Sequence, residues 1–279
     1  MGIYYIDGKF LPEEKAVIPV TDMAVLRGYA VFDFLRTYGG QPFHVKDHIQ
    51  RLRRSADLIG LSVPWLESEL ETIINETVQR NSYKEANIRL VITGGESSDS
   101  ITPDAQSRLL VLVTEVKSFP EEWYSKGVQV VTTEVNRYIP EAKSTNYVNA
   151  VIALTRAREK GAIESLYVDD DRLVREGTTT NLFLIKKGRI ITPEAGILPG
   201  ITRKVILKIC QDAFPIEQRS VSVDELRSAD ELFISSSNKQ VVPVVKVDDF
   251  TIGSGKPGAV TSEVMRKFRM YTEEWGRTA

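Results

Sequence analysis

The feature that most constrains the fold is a break in the β-rich pattern of the chain. Strand-like runs stop after 109–116 and begin again at Val128-Gln129-Val130-Val131, and the polar stretch between them carries Phe119-Pro120. Proline removes a backbone donor and fixes φ, so a strand or helix interior does not pass through it undisturbed. Domain boundaries fall in such stretches. The 279 residues therefore read as a small unit over 1–118, a linker over 119–126 and a larger unit over 127–279.

Turn chemistry and periodicity fill in each unit. Asp7-Gly8 suits positive φ, so residues 1–9 open on a strand pair. Ile49, Leu52, Ala56 and Ile59 recur at helical spacing over 47–61, with Gly60 as a stop, and Leu66, Leu70, Ile73 and Thr77 repeat the pattern over 65–81. Runs at 88–93 and 109–116 flank a loop rich in Gly, Ser, Asp and Pro, 94–108, which reads as a mobile lid. Beyond the linker the pattern predicts a helix over 146–161, a strand over 164–168, and a turn at Asp169-Asp170-Asp171 into a strand ending near Glu176. A hairpin over 181–192 turns at Lys187-Gly188, a helix covers 200–212, and Ser222 with Glu225 forms a capping box. A strand over 231–235 runs into Ser236-Ser237-Asn238, and a helix over 262–275 closes the chain. There is no internal repeat. The class is α+β in two domains.

Composition excludes several kinds of partner. With 36 basic and 38 acidic side chains and a net charge of -2, the chain lacks the electrostatic footprint of a nucleic-acid binder. No run approaches the roughly 18 apolar residues of a membrane span, and Met1-Gly2-Ile3-Tyr4-Tyr5 has no charged n-region of a signal peptide. The single Cys210 cannot form an intrachain disulfide, which fits a reducing, cytoplasmic setting. His44 and His48 are too few for a zinc site, so no metal is expected.

Against that background, three segments carry chemistry in order along the chain: Lys143-Ser144-Thr145-Asn146-Tyr147, Arg175-Glu176-Gly177-Thr178-Thr179-Thr180-Asn181, and Gly196-Ile197-Leu198-Pro199-Gly200-Ile201-Thr202-Arg203. A lysine amine, with a solution pKa of about 10.4, attacks a carbonyl at neutral pH only when desolvated or set beside positive charge. Lys143 lies at a strand-to-helix junction that would leave it in a cleft, and Tyr147 offers a phenol nearby. A carboxylate at a strand end, Glu176, keeps a pyridine nitrogen protonated and makes the ring an electron sink; its competing assignment is an ion pair with Arg175. Pro199-Gly200 ends a loop, so the Ile201 and Thr202 amides open a helix at the positive end of its dipole and suit a phosphate. Ser236 and Ser237 add hydroxyls. Arg51 adds a guanidinium for bidentate phosphate binding, although with Arg53 and Arg54 it also fits a solvated helix face. Together the segments describe a pyridoxal 5'-phosphate site.

The same segments, with Arg27-Gly28-Tyr29-Ala30-Val31-Phe32-Asp33-Phe34-Leu35-Arg36, His48-Ile49-Gln50-Arg51-Leu52 and residues 235–243, resemble the class IV aminotransferases over nearly the whole chain. These fold-type IV pyridoxal-phosphate enzymes include D-amino-acid aminotransferases, branched-chain aminotransferases and aminodeoxychorismate lyases. The resemblance implies a small N-terminal α/β domain and a larger C-terminal domain with a β-barrel-like core. It implies that Lys143 bonds the cofactor and moves the proton between Cα and C4′, that Glu176 pairs with the ring nitrogen, and that Tyr147 lies by the phenolate oxygen. Arg51, Ile201, Thr202, Ser236 and Ser237 would hold the phosphate, in a homodimer acting on amino acids and 2-ketoacids. D-amino-acid enzymes of the best-known type carry an arginine where Gly94 stands, so that carboxylate trap is absent. Arg89 matches an arginine of the branched-chain enzymes, and Arg27 falls where many relatives are uncharged. With Phe32 and Thr179 they are the expected substrate-facing residues. An arginine in a pocket needs an anionic partner, and the two carboxylates of D-glutamate or 2-oxoglutarate would satisfy both; the alternative for Arg27 is a surface pair with Asp22 or Asp33. The expectation is a D-amino-acid transaminase, with a branched-chain L-aminotransferase and a lyase as rivals.

Overall fold

The structure is a computed structural model that describes residues 2–104 and 106–278. The chain divides into two compact units: one takes the chain through Lys117 together with Ala142–Asn146 and the residues from Glu273 onward, and the other holds Ser118–Glu141 and Tyr147–Thr272.

In the first unit, β1 (Ile3–Ile6) and β2 (Lys9–Pro12) pair across Asp7-Gly8, both at positive φ. A short helix α1 (Met23–Arg27) leads to β3 (Ala30–Tyr38), β4 (Gln41–Pro42), helices α2 (Val45–Leu58) and α3 (Glu67–Gln79), and strands β5 (Ala86–Thr93) and β6 (Arg108–Glu115). These strands form an antiparallel sheet in the order β2-β1-β6-β5-β3-β4. Along β5, Ala86, Ile88, Leu90 and Ile92 are buried in one core with Ile49, Leu52 and Ala56 of α2 and Leu70 and Ile74 of α3. Period-two alternation sends the intervening residues to the other face. There Phe32 stands opposite Val91 and Phe34 opposite Arg89. Neither β3 nor α1 is visible as an element in the sequence pattern.

The second unit holds α4 (Glu122–Ser125), β7 (Val128–Glu134), α5 (Val148–Glu159), β8 (Glu164–Val168), β9 (Val174–Gly177), β10 (Asn181–Lys186), β11 (Arg189–Thr192), α6 (Ile201–Cys210), β12 (Ile216–Gln218), α7 (Val223–Arg227), β13 (Glu231–Ser236), β14 (Gln240–Val247), β15 (Phe250–Thr251) and α8 (Ala259–Thr278). Its strands form a curled, half-barrel mixed sheet in the order β12-β11-β10-β13-β14-β7-β8-β9, with β15 on β14. Leu166, Leu182, Leu184, Leu232, Ile234, Val242 and Val244 fill its interior.

The unit boundaries differ from a single cut followed by a linker. Residues 119–126 carry α4, whose Tyr124 packs on the second core and donates to the Lys239 carbonyl at 3.2 Å. The stretch with Lys143 and the end of α8 cluster with the first unit. The expected lid, 94–108, is tied locally by Asp99, which accepts from the Ile101 and Thr102 amides at 2.8 and 2.7 Å; Ala105 within it lies outside the described residues. Among the described residues no helix is long and apolar enough to cross a membrane.

Candidate active site

Lys143 is held by backbone bonds along β3. The Phe32 amide donates to the Lys143 carbonyl at 2.9 Å, the Thr145 amide to the Ala30 carbonyl at 2.9 Å, and Ser144 bridges Val31. From below, the Lys143 amide donates to Ser55 Oγ at 3.1 Å, and that hydroxyl donates to the Arg51 carbonyl at 2.8 Å. The lysine is thus fixed at both backbone groups. Its Nζ lies 4.5 Å from the centroid of the Phe32 ring, and the Arg89 guanidinium lies 5.5 Å from the same centroid and 5.7 Å from that of Phe34. One aromatic ring therefore has both an amine and a guanidinium near its centroid.

Arg51 is not a surface charge. It is buried and held two-handed by Asp33, Nε to Oδ2 at 2.9 Å and Nη2 to Oδ1 at 2.8 Å, while His48 Nδ1 lies 2.7 Å from the same Oδ1. Burial pushes the Asp33 carboxyl up, but Arg51 and His48 outweigh it and hold the group well below the usual carboxylate range. Burial lowers His48 in spite of Asp33, so its ring is neutral at pH 7. Arg27 is exposed, donates to the Leu26 carbonyl at 2.8 Å, and pairs with neither Asp22 nor Asp33. Asp22 instead caps α1 at Ala24 and takes Thr93 Oγ1 and Arg108 Nε. A Cβ on Gly94 would stand 2.5 Å from the Tyr29 ring, so the chain has no room for an arginine there without moving Tyr29.

In the second unit Glu176 is buried at the end of β9. Its partner is Arg137, whose Nη1 donates to Oε1, and the Leu198 amide donates to Oε2 at 2.9 Å. Arg175 pairs with Asp169 instead, which removes the competing assignment for Glu176. Asn181 opens β10 within 3.4 Å of the same Oε2 and donates to the Leu198 carbonyl at 3.0 Å. Its side chain also explains Gly200: a Cβ there would lie 1.9 Å from Asn181 Oδ1. Gly200 caps α6 with no side-chain hydrogen bond, and Ile201 and Thr202 behind it are buried. Asn181 in turn stands opposite Ser235 on β13, whose buried Oγ has no partner among the described residues.

Two expected hydroxyls are already engaged. Ser236 Oγ donates to Asn238 Oδ1 at 2.9 Å inside the β13–β14 turn, next to Ser237. Thr179 Oγ1 donates to the buried Glu164 at 2.6 Å and accepts from Lys239 Nζ at 2.7 Å. The Thr178 amide and the Ser165 amide also point at Glu164, so that carboxylate ties down the turn after Glu176. Tyr147 caps α5 at its N-terminus and is half-buried. Arg137, Asp33, Glu164 and Lys239 escape a reading of the sequence because each partner is distant in the chain; Arg137 and Glu176 are 39 residues apart.

A buried carboxylate oriented by an arginine and an amide, an uncapped helix N-terminus and an unpartnered serine hydroxyl fit a planar cationic ring bearing a phosphate. The first unit, for its part, holds the backbone-anchored lysine. Residues 30–247 match the family described as amino-transferase class IV, and the chain belongs to that family, whose cofactor is pyridoxal 5'-phosphate. It is similar to a putative branched-chain-amino-acid aminotransferase of Methanocaldococcus jannaschii, 32% identical over 98% of this chain and 97% of that one. It is also similar to a D-alanine aminotransferase of Staphylococcus epidermidis, 31% identical over 96% and 97%. Among solved structures, the branched-chain aminotransferase of Escherichia coli superposes with a TM-score of 0.92 at 26% identity, covering 98% of this chain and 95% of that one.

Proposed function

We propose that the protein is a D-amino-acid transaminase of the D-glutamate or D-alanine type, passing the amino group to 2-oxoglutarate or pyruvate. The observation that carries this reading is Phe32, whose ring centroid lies 4.5 Å from the Lys143 amine and 5.5 Å from the Arg89 guanidinium. An amino acid whose nitrogen is exchanged at Lys143 then has a guanidinium within reach of a carboxylate. Arg27, exposed and without an acidic partner among the described residues, is the second carboxylate ligand in this reading. When bound, the cofactor supplies a protonated ring that accepts the electron pair left by the Cα proton. With the cofactor bound, Glu176, held by Arg137, would keep the ring nitrogen protonated, and Lys143 would move the proton between Cα and C4′. In the same state the Ile201 and Thr202 amides, Ser236, Ser237 and Arg51 would hold the phosphate, Tyr147 would lie by the phenolate oxygen, and Thr179 would border the substrate. The protein acts as a homodimer.

A branched-chain L-aminotransferase is the second reading, favoured by the apolar pair Phe32 and Val91 beside Arg89. A donor panel with one ketoacid separates them: D-glutamate and D-alanine should turn over and L-leucine should not. Turnover of L-leucine alone would falsify the D-specific reading. In the same panel, Arg89→Gln and Arg27→Gln should each lower kcat/KM for D-glutamate at least tenfold, since a charged hydrogen bond is worth about 1.5–3 kcal/mol. Pyruvate release from aminodeoxychorismate without an acceptor would mark a lyase instead.

A further inference from the structure

Strand β8 carries a tyrosine that none of the roles above uses. Tyr167 stands opposite Thr133 on β7, and on its other side the register slips between Leu166 and Val168, so it sits at an irregularity facing β9, the strand of Glu176. The residue is buried, 5% exposed. Its hydroxyl makes no hydrogen bond among the described residues and is not among the fully buried unpartnered atoms, so the oxygen stays accessible at the edge of an otherwise buried side chain. The ionisable groups that act on it come from every neighbouring element: Arg137 after β7, Tyr147 before α5, Glu164 on β8 and Glu176 on β9. Burial, the largest influence, pushes the phenol up to about 12, so it is a donor throughout the working pH range. Arg137 and Glu176 are spent on each other, and Glu164 is filled by the Thr178–Thr180 turn.

A phenol donor with no acceptor among the described residues is open to one from a ligand. Of the acceptors on pyridoxal phosphate, the ring nitrogen is protonated against Glu176 and can only donate, and the phosphate belongs with the α6 N-terminus. The phenolate oxygen remains. We propose that the Tyr167 hydroxyl donates a hydrogen bond to the phenolate oxygen of the bound cofactor, beside Tyr147. This rests on the cofactor placement given above.

Tyr167→Phe in the full-length protein tests it, with wild type and Tyr147→Phe alongside. A donor on the phenolate oxygen draws charge from it; without that donor the visible absorbance of the bound cofactor titrates at higher pH, by about one unit, and the cofactor dissociates about tenfold more readily from the reconstituted enzyme. The melting temperature of the cofactor-free protein should not fall, because the hydroxyl has no protein partner to lose. A variant that carries full cofactor yet matches wild type in both titration and dissociation constant overturns the assignment of Tyr167 while leaving the enzyme class intact. A wild-type protein that takes up no cofactor overturns both.

Discussion

Asp33 shows what a single residue does to the behaviour of the whole chain. Its carboxylate is fully buried on the helix side of β3, against Arg51 and His48. Because its folded-state pKa is depressed, it stabilises the fold above the ordinary carboxyl range, near pH 4, and that contribution is lost as pH falls below it. Asp33→Asn should therefore lose about 3–5 kcal/mol at pH 7, the cost of leaving Arg51 buried without its counter-charge. It should also flatten the fall in stability below pH 4. Denaturant melts at pH 3 and pH 7 check both, and an unchanged slope between the two sinks the linkage. Lys143 makes the complementary prediction. Its backbone anchors to Phe32 and Ser55 do not involve Nζ, so Lys143→Ala should fold as wild type, bind cofactor noncovalently and lose turnover by at least a thousandfold. Borohydride should then fix no cofactor to the chain; label on another peptide would move the site. Lys143 and Glu176 stand out in the sequence as candidates through their flanking turns, whereas Arg51 also fits a surface face with Arg53 and Arg54, because the partner that buries it lies 18 residues away.

Among the elements, two strands are hidden from the sequence because each contains what a strand pattern excludes. β3 alternates Val31, Asp33, Leu35 and Thr37 toward the helices, and the charge in that series conceals it. β14 contains Pro243, which argues against a central strand, yet it is paired on both sides. The proline is tolerated because it faces Phe233 of β13 while the ladder to β7 begins only at Val244. Loop-to-helix junctions were easier. Pro199-Gly200 forecasts the start of α6, and the structure adds the reason that residue 200 must be glycine, the Asn181 side chain against its Cα. A second close approach, between Gly39 and Gly276, has no sequence signal. A Cβ on Gly39 would lie 2.3 Å from the Gly276 carbonyl oxygen, and Gly39 also has φ +59. Gly39→Ala should cost about 1–3 kcal/mol by overpacking and strain. Faster amide exchange in residues 273–278 would locate the damage, where Trp275 stacks on His44 at 4.5 Å and meets Phe43 edge-on at 5.2 Å. Unaltered exchange there would mean the end of α8 does not depend on that contact.

At the scale of the molecule, the break near residue 118 marks where the first unit pauses but not where it ends, since 142–146 and the end of α8 return to it. Periodicity reports only local faces, and a return of five residues has no period to detect. The proposed homodimer is likewise beyond single-chain patterning, but the structure offers a place to look. Val148, Val151 and Ile152 are exposed at 65%, 59% and 47% on α5 and lie three and four residues apart, on one face. An apolar stripe of that kind on a single chain marks an interaction surface. If a second copy covers it, light scattering should give twice 31.3 kDa for the wild type, and Val151→Glu with Ile152→Glu should shift the mass to that of one chain. Burying two carboxylates in an apolar interface is costly enough to do so. A wild type that runs as a single chain rejects the homodimer, and a double variant that remains dimeric places the interface on another surface.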